Sequence, residues 1–424
     1  MINPIIYANQ PLIKLFGCRE ETAKIDEEAV KCILDDIKEN GDKALRKYCL
    51  KYDGFSGENL SVTDEEFDAA FKALSKGYIK MLKRAIKNIT AFHKKQLKKG
   101  FEIRKKNCVV GQIVLPVSCA GVYVPGGTAA YPSTVLMNVI PAKIAGVEQV
   151  VMVTPVKSDG KIKPEVLVAA KLCGADKVFK IGGAQAIGAL AYGTQTVPKA
   201  EKITGPGNAY VAAAKRIVFG TCGIDMIAGP SEILVIADKG ANAEHVAADM
   251  LSQAEHDVLA SAVLITDDLS LANAVSNKIE ERLSNLPRRE IAEKSINSNG
   301  KIVVVENLDK AIELSNEYAP EHLELCVENP FELLKKVKNA GSVFLGYNTP
   351  EAVGDYYAGA NHTLPTSGTA KFSSPLGVED FLKTTQYIYY NSAALYAAST
   401  DIIKFAKSEG LDAHAQSISV RVEK

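Results

Sequence analysis

The 424-residue chain is predicted to be an α/β protein with two Rossmann-like parallel-sheet domains of related architecture, a helical N-terminal part and a small C-terminal domain. Three observations predict it. From about residue 112, short β-branched runs alternate with glycine turns and alanine-rich helical stretches. The alternation comes in two successive series, and the segments before and after them look helical. Strand–helix alternation of this kind builds mostly parallel sheets covered by helices on both faces. Hydrophobic residues at 47% are ample for the cores that such a chain needs.

Residues 20–100 read as mainly helical. Thr63 with Glu66 three positions on is a capping box. Phe67, Phe71, Leu74, Tyr78, Leu82, Ile86, Ile89 and His93 follow at helical spacing, so one long helix is expected. From Lys72 to Lys106 the only acid is Glu102, which reads as a solvated lysine face. The first alternating series has strands within Val147–Val156, at Lys177–Ile181 and at Lys202–Thr204, the last two leading into glycine turns. The second has strands at Glu232–Ala237, Ala260–Thr266, Lys301–Val305, Leu323–Val327 and Ser342–Leu345, with helices near 242–256, 270–285, 308–318 and 331–338. The tail from about 375 is expected to be helical and to end in a strand at Ser417–Val422, where polar and apolar residues alternate.

Zero net charge argues against nucleic acid or an anionic membrane as the main partner. Eight scattered cysteines (Cys18, Cys32, Cys49, Cys108, Cys119, Cys173, Cys222 and Cys326) form no C-x-x-C pair and fit reduced thiols. The start has no basic and apolar leader, and no apolar run would span a bilayer. A cytoplasmic protein is expected.

Three glycine turns follow strand candidates in the first series: Gly121–Gly127, Gly182–Gly188 and Gly205–Val211. Glycine there lets backbone N–H groups approach a phosphate at a helix N-terminus. None is a G-x-G-x-x-G, and each alone is an ordinary tight turn. Three in one sheet suggest a nucleotide crevice, with Tyr123, Gln185 and Asn208 as polar groups able to reach ribose or pyrophosphate.

Four of the six histidines stand near an acid or amide: Gln253-Ala-Glu-His256, Glu321-His322, Asp355 with His362, and Glu409 with His414. Imidazole is both a common metal ligand and the proton carrier suited to neutral pH. Gln253 and His256 are i, i+3 and share a helix face, with Asp249 one turn earlier. Glutamine oxygen and histidine nitrogen can ligate one divalent metal, with carboxylates completing the set. His245, on the same helix, reads as a surface or structural residue. Pro320 stops a helix, and Glu321 and His322 would point to opposite sides if a strand begins there. His322 could then be a general base and Glu321 a water activator, or either an ordinary edge residue. Gly354–Pro365 reads as a long loop of the kind that binds ligands. Glu409 and His414 alone would be a solvated end.

These segments together closely resemble the histidinol dehydrogenase family. The matching pieces are GVYVPGG (121–127), IGGAQAIGALAYGT (181–194), ITGPGNAYVAAAK (203–215), AGPSEILVIAD (228–238), LSQAEH (251–256), YAPEHLEL (318–325), GDYYAGANHTLPT (354–366) and EGLDAH (409–414). The resemblance implies a zinc- and NAD-dependent enzyme of histidine biosynthesis, oxidising L-histidinol through L-histidinal to L-histidine. It implies that Gln253, His256 and Asp355 ligate one zinc per subunit with His414 from the other subunit of a homodimer. It places NAD on Tyr123, Gln185 and Asn208. Ser231, His362 and Glu409 would contact substrate, as would the zinc ligands and His322, and Glu321 and His322 would do the proton chemistry. The expected division is an N-terminal segment 1–20; a first α/β domain of 21–120 plus 234–372, carrying the metal and catalytic motifs; an NAD-binding domain 121–233; and a C-terminal domain 373–424 reaching the partner subunit.

Two rivals of other kinds are a regulatory protein that has lost catalysis and a cysteine-dependent aldehyde dehydrogenase. The first should lack the Glu321–His322 pair. The second needs a low-pKa thiol, whereas Cys119 sits in an apolar stretch and reads as buried and inert. A sister dehydrogenase for another small alcohol would not need Glu409.

Overall fold

The computed structural model describes residues 2–16, 25–126 and 130–423. Cys18, Gly127 of the first glycine turn and the expected boundary at residue 20 lie outside the described residues. The chain forms two compact units, one of Met1–Gln96 with Ser118–Phe381 and the other of Leu97–Val117 with Leu382–Lys424.

The first unit contains two parallel sheets. The five-stranded sheet runs Lys177–Lys180, Gln149–Thr154, Cys119–Tyr123, Lys202–Thr204, Gly223–Ile224. The six-stranded sheet runs Ile5–Ile6, Lys301–Val304, Ser261–Thr266, Glu232–Ala237, His322–Cys326, Ser342–Leu345. Setting aside the edge strand Ile5–Ile6, both have the same order: the first strand lies in the middle, the next two build outward on one side, and the fourth crosses to the other. The two sheets are related in architecture as expected. Each has its chain reversal between its first and fourth strands, the place where open α/β sheets leave a crevice. Glu232–Ala237 is buried at every position because both faces of a parallel sheet are covered, which explains the apolar run Ile233–Ala237 after its first residue. Separate cores form on the two faces of the six-stranded sheet, Ile233 and Val235 on one and Leu234 and Ile236 on the other.

The capping box at Thr63 is present, with Glu66 N–H donating to Thr63 Oγ1 and Thr63 N–H donating to the Glu66 carboxylate at 3.0 Å. The long helix expected after it is two helices, Asp64–Ala73 and Lys76–His93. Leu74 is extended, and Ser75 caps the second helix by accepting from Tyr78 N–H at 3.1 Å.

The second unit has a three-stranded antiparallel sheet of Phe101–Lys105, Cys108–Pro116 and Leu382–Tyr390, followed by helices Ser392–Ser408 and Asp412–Val422. The strand expected at Ser417–Val422 is therefore helix. Ser417 and Ser419 turn their hydroxyls back to the carbonyls of His414 and Ala415, and the segment lies against the preceding helix with Ala415 buried. Six residues of polar–apolar alternation cannot outweigh that tertiary packing. Among the described residues no helix is long and apolar enough to cross a membrane.

Candidate active site

The site forms at the amino edge of the six-stranded sheet. Strands Glu232–Ala237 and His322–Cys326 lie side by side in parallel, and each begins with a buried polar residue. The helix Ala243–Ala254 returns from the far edge, so its last turn delivers Gln253 to the same place. Pro350 starts a short helical turn at Glu351, which widens into a π-helical turn, Gly354–Ala358, carrying Asp355. The loop expected at 354–365 therefore begins as helix. It is held down by Lys76–His93: Asn88 donates to the Tyr357 carbonyl at 2.9 Å, and Gly359 lies so close that a Cβ there would meet the Asn88 carbonyl at 2.7 Å.

The backbone of Glu232 organises the centre. Its N–H donates to Glu321 Oε2 at 2.9 Å, and its carbonyl lies 3.0 Å from His322 Nδ1. A carbonyl can only accept, so Nδ1 carries the proton and a neutral ring leaves Nε2 as a lone pair. The strand begins at His322 with Glu321 just outside it, so the two side chains do not diverge as expected; Glu321 Oε2 is 3.7 Å from Nδ1. His322 Nε2 is buried without a hydrogen-bond partner, 3.7 Å from Glu351 Oε1 and 3.9 Å from Asp355 Oδ1. With its amide oriented to match donors with acceptors, Gln253 donates to both Glu351 oxygens at 2.7 Å and accepts from Glu232 N–H at 3.0 Å.

Behind these groups stand more acids. Glu324 accepts from Glu351 N–H at 2.7 Å and shares a hydrogen bond with Asp249. Burial drives the Glu321 and Glu324 carboxyls well above the usual range. It raises Glu351 to about 8, with Asp249 adding, and Asp355 to about 7 against the opposing pull of His322. Burial lowers the His322 pKa and pushes His362 down to about 4, helped there by the charges of His322 and His256. His256 stands at the exposed rim, its pKa lowered by partial burial of the ring and by His322. Carboxyls crowded around an imidazole lone pair with no donor between them are what a divalent cation satisfies. Ligand atoms of His322, Glu351 and Asp355 lie within 4.8 Å of one another, so a cation fits beside them; of the three, Asp355 alone belongs to the expected zinc set.

The structure thus brings Gln253, Glu321, His322 and Asp355 together, with His256 and His362 within reach of the same charges. It adds Glu351, Glu324 and Glu232, which the sequence reading did not single out. For Glu232 and Glu324 the signal was an acid in a strand that is otherwise largely apolar; Glu351, in a helical turn after Pro350, gave none. Ser231 immediately precedes the central strand. Glu409 and His414 belong to the second unit, where both are exposed, and His245 is exposed as expected. Cys119 and Cys326 are buried, which pushes the Cys119 thiol up to about 11 and Cys326 upward as well. Neither has the lowered pKa of a nucleophile.

Tyr123, Gln185 and Asn208 all lie at or just beyond the carboxyl ends of strands in the five-stranded sheet. Tyr123 and the Gly205–Asn208 turn flank its chain reversal. Gly205 has φ +111°, and a Cβ there would stand 2.0 Å from the Tyr123 carbonyl oxygen, so only glycine lets the turn close on that strand. The buried pair Lys215–Asp225 holds this turn, Lys215 donating to the Gly205 carbonyl and Asp225 accepting Gly205 N–H at 2.8 Å. Asn208 caps the next helix by accepting from Val211 N–H at 3.1 Å, which leaves its amide N–H groups for a ligand. This crevice, with a close glycine turn and polar groups at the reversal point, fits a dinucleotide. The helix Pro132–Ala145 leads from it toward the acids: Asn361 and Thr363, either side of His362, bond to Met137 and Asn138.

The histidinol dehydrogenase family model matches residues 18–422. A histidinol dehydrogenase of Streptococcus mutans is 54% identical over 399 residues, 94% of this chain and 93% of that protein. One from Carboxydothermus hydrogenoformans is 50% identical over 421 residues, 99% of each. The crystal structure of histidinol dehydrogenase from Elizabethkingia anophelis superposes with a TM-score of 0.94 at 39% identity, covering 100% of this chain and 98% of that one.

Proposed function

Because the chain belongs to the histidinol dehydrogenase family, we propose that its buried His322 cluster oxidises L-histidinol through L-histidinal to L-histidine, with NAD as acceptor and one zinc per subunit. The observation that carries the assignment of roles is the hydrogen bond from His322 Nδ1 to the Glu232 carbonyl. It makes Nε2 the proton acceptor, in a site that already presents acids for a cation.

Alcohol oxidation requires loss of the hydroxyl proton as the hydride leaves. His322, kept neutral by burial, takes that proton on Nε2. The aldehyde must be hydrated before the second hydride departs, and we assign activation of that water to Glu321, whose Oε2 accepts the Glu232 N–H 3.7 Å from His322 Nδ1. NAD, when bound, accepts each hydride, and Tyr123, Gln185 and Asn208 would hold it. Zinc, when bound, orients the amino and imidazole nitrogens of the substrate. Gln253, His256 and Asp355 would hold it, with His414 of the partner subunit. Glu351 accepts from the amide nitrogen of Gln253 and the Glu232 N–H donates to its oxygen, the one atom able to ligate, which keeps a second lone pair for a metal. Ser231, His362 and Glu409 would contact substrate.

The second unit supports the homodimer. Its sheet and first helix expose Phe101, Ile388, Tyr389, Tyr396 and Phe405, with Ile388 at 72% and Phe405 at 69%, large apolar side chains of the kind that mark an interface. A second copy of this chain is the occupant that also completes the ligand set.

The deciding experiment is NADH formation from L-histidinol with and without chelator. Two NADH per histidinol, lost on chelation and restored by zinc, are expected. No NADH from histidinol in zinc-loaded protein would move the activity to another small alcohol.

A further inference from the structure

Among the described residues there are two π-helical turns, a rare element that often marks a functional position. One carries Asp355. The other, Cys49–Asp53, comes from the helical N-terminal part and ends with Asp53 at the second glycine turn. Asp53 Oδ2 accepts from Gln185 Nε2 at 3.3 Å, and the same carboxylate accepts the N–H of Gly182. The next amide, Gly183 N–H, donates to Tyr123 Oη at 3.2 Å. Gln185 and Tyr123 are buried at 2% and 4% exposure. The amide of the cap residue and the first amide of the helix Gly183–Tyr192 are therefore already occupied, one by an acid and one by a phenol. The turn is not the open phosphate cradle that its glycines suggest.

From this geometry we propose that Asp53 is a positioning residue for the cofactor, acting through Gln185. A glutamine amide presents a donor on one side and an acceptor on the other, and rotation by half a turn exchanges them. Asp53 takes the donor side, so Nε2 faces the acid and Oε1 lies over Gly183, where an added Cβ would meet it at 2.7 Å. The ligand then meets a fixed acceptor. Burial of the carboxyl, with its pKa raised to about 6, is the cost of holding an acid there. The inference rests on the reading of Tyr123, Gln185 and Asn208 as the cofactor site.

The test is a titration of NADH fluorescence enhancement with the purified full-length chain, read as Kd without turnover. Asp53→Ala should weaken NADH binding about tenfold, the loss expected for a charge-assisted hydrogen bond. Asp53→Asn, whose side-chain oxygen can still accept from Gln185, should recover most of that loss. In a Gln185→Ala background the further change Asp53→Ala should have less than about a twofold effect, because no amide remains to be oriented. A role confined to folding of the π-turn would instead persist in that background and overturn the proposal. Unchanged NADH binding in Asp53→Ala, with Gln185→Ala weakened, would also overturn it while leaving the cofactor site in place. If Gln185→Ala binds NADH as well as the parent, the cofactor-site reading fails and the proposal falls with it.

Discussion

His322 Nδ1 lies 3.0 Å from the carbonyl oxygen of Glu232, and that contact decides which ring nitrogen is the base. The ring is buried, its pKa is lowered, and Nε2 faces the acids of Glu351 and Asp355. His322→Asn is expected to lower kcat by about 10²–10⁴-fold, the usual weight of a general base. NADH binding, measured by fluorescence, should stay at the parent value. A loss of turnover under tenfold would remove His322 from the proton chemistry.

Glu351 holds Gln253 through both carboxylate oxygens, 2.7 Å from the amide nitrogen in the matched orientation. Groups that orient a ligand typically contribute about 10–100-fold to metal affinity. Glu351→Ala should therefore weaken zinc binding by that factor or more, read by competition with a chromophoric chelator. Parent-like affinity would show that Gln253 needs no such support.

The acids also tie stability to pH when metal is removed. Asp355 and Glu351 have pKa values raised to about 7 and 8 in the metal-free protein. A carboxyl raised above its unfolded value stabilises the fold at low pH, and that contribution is lost as pH rises through the folded pKa. Chelated protein should melt at a lower temperature at pH 8.5 than at pH 6. Zinc at about a hundred times its Kd adds roughly 2.7 kcal/mol and should reduce that slope. A chelated protein more stable at pH 8.5 than at pH 6 would contradict the raised values.

Cys119 and Cys326 are buried, and burial raises both thiols. Cys119→Ala and Cys326→Ala should keep kcat within about threefold of the parent, since a thiol in this state supplies almost no thiolate. Either variant losing more than a hundredfold at unchanged melting temperature would bring back a thiohemiacetal route.

Much of the chain was legible in its sequence. Lys202–Thr204, Glu232–Ala237 and Ser342–Leu345 have the bounds read from their short apolar runs; Glu232–Ala237, buried on both faces, carries that signature most plainly, whereas Ser342–Leu345 is a half-buried edge strand. The antiparallel strands Cys108–Pro116 and Leu382–Tyr390 pair residues more than 260 positions apart and are mostly exposed or half-exposed. No local pattern announces such a pairing.

The sequence by itself determined the two alternating α/β series, the glycine turns and the polar runs around Gln253, Glu321, His322 and Asp355. Only the tertiary structure decided that a helix end, two strand starts and a π-turn meet at one sheet edge. It alone brought Glu351 and Glu324 in among them, and it chose the protonated nitrogen of His322. The reason is physical: periodicity and turn chemistry act over a few residues. A buried charge is tolerated, and a tautomer selected, only by groups that chain folding brings from far along the sequence.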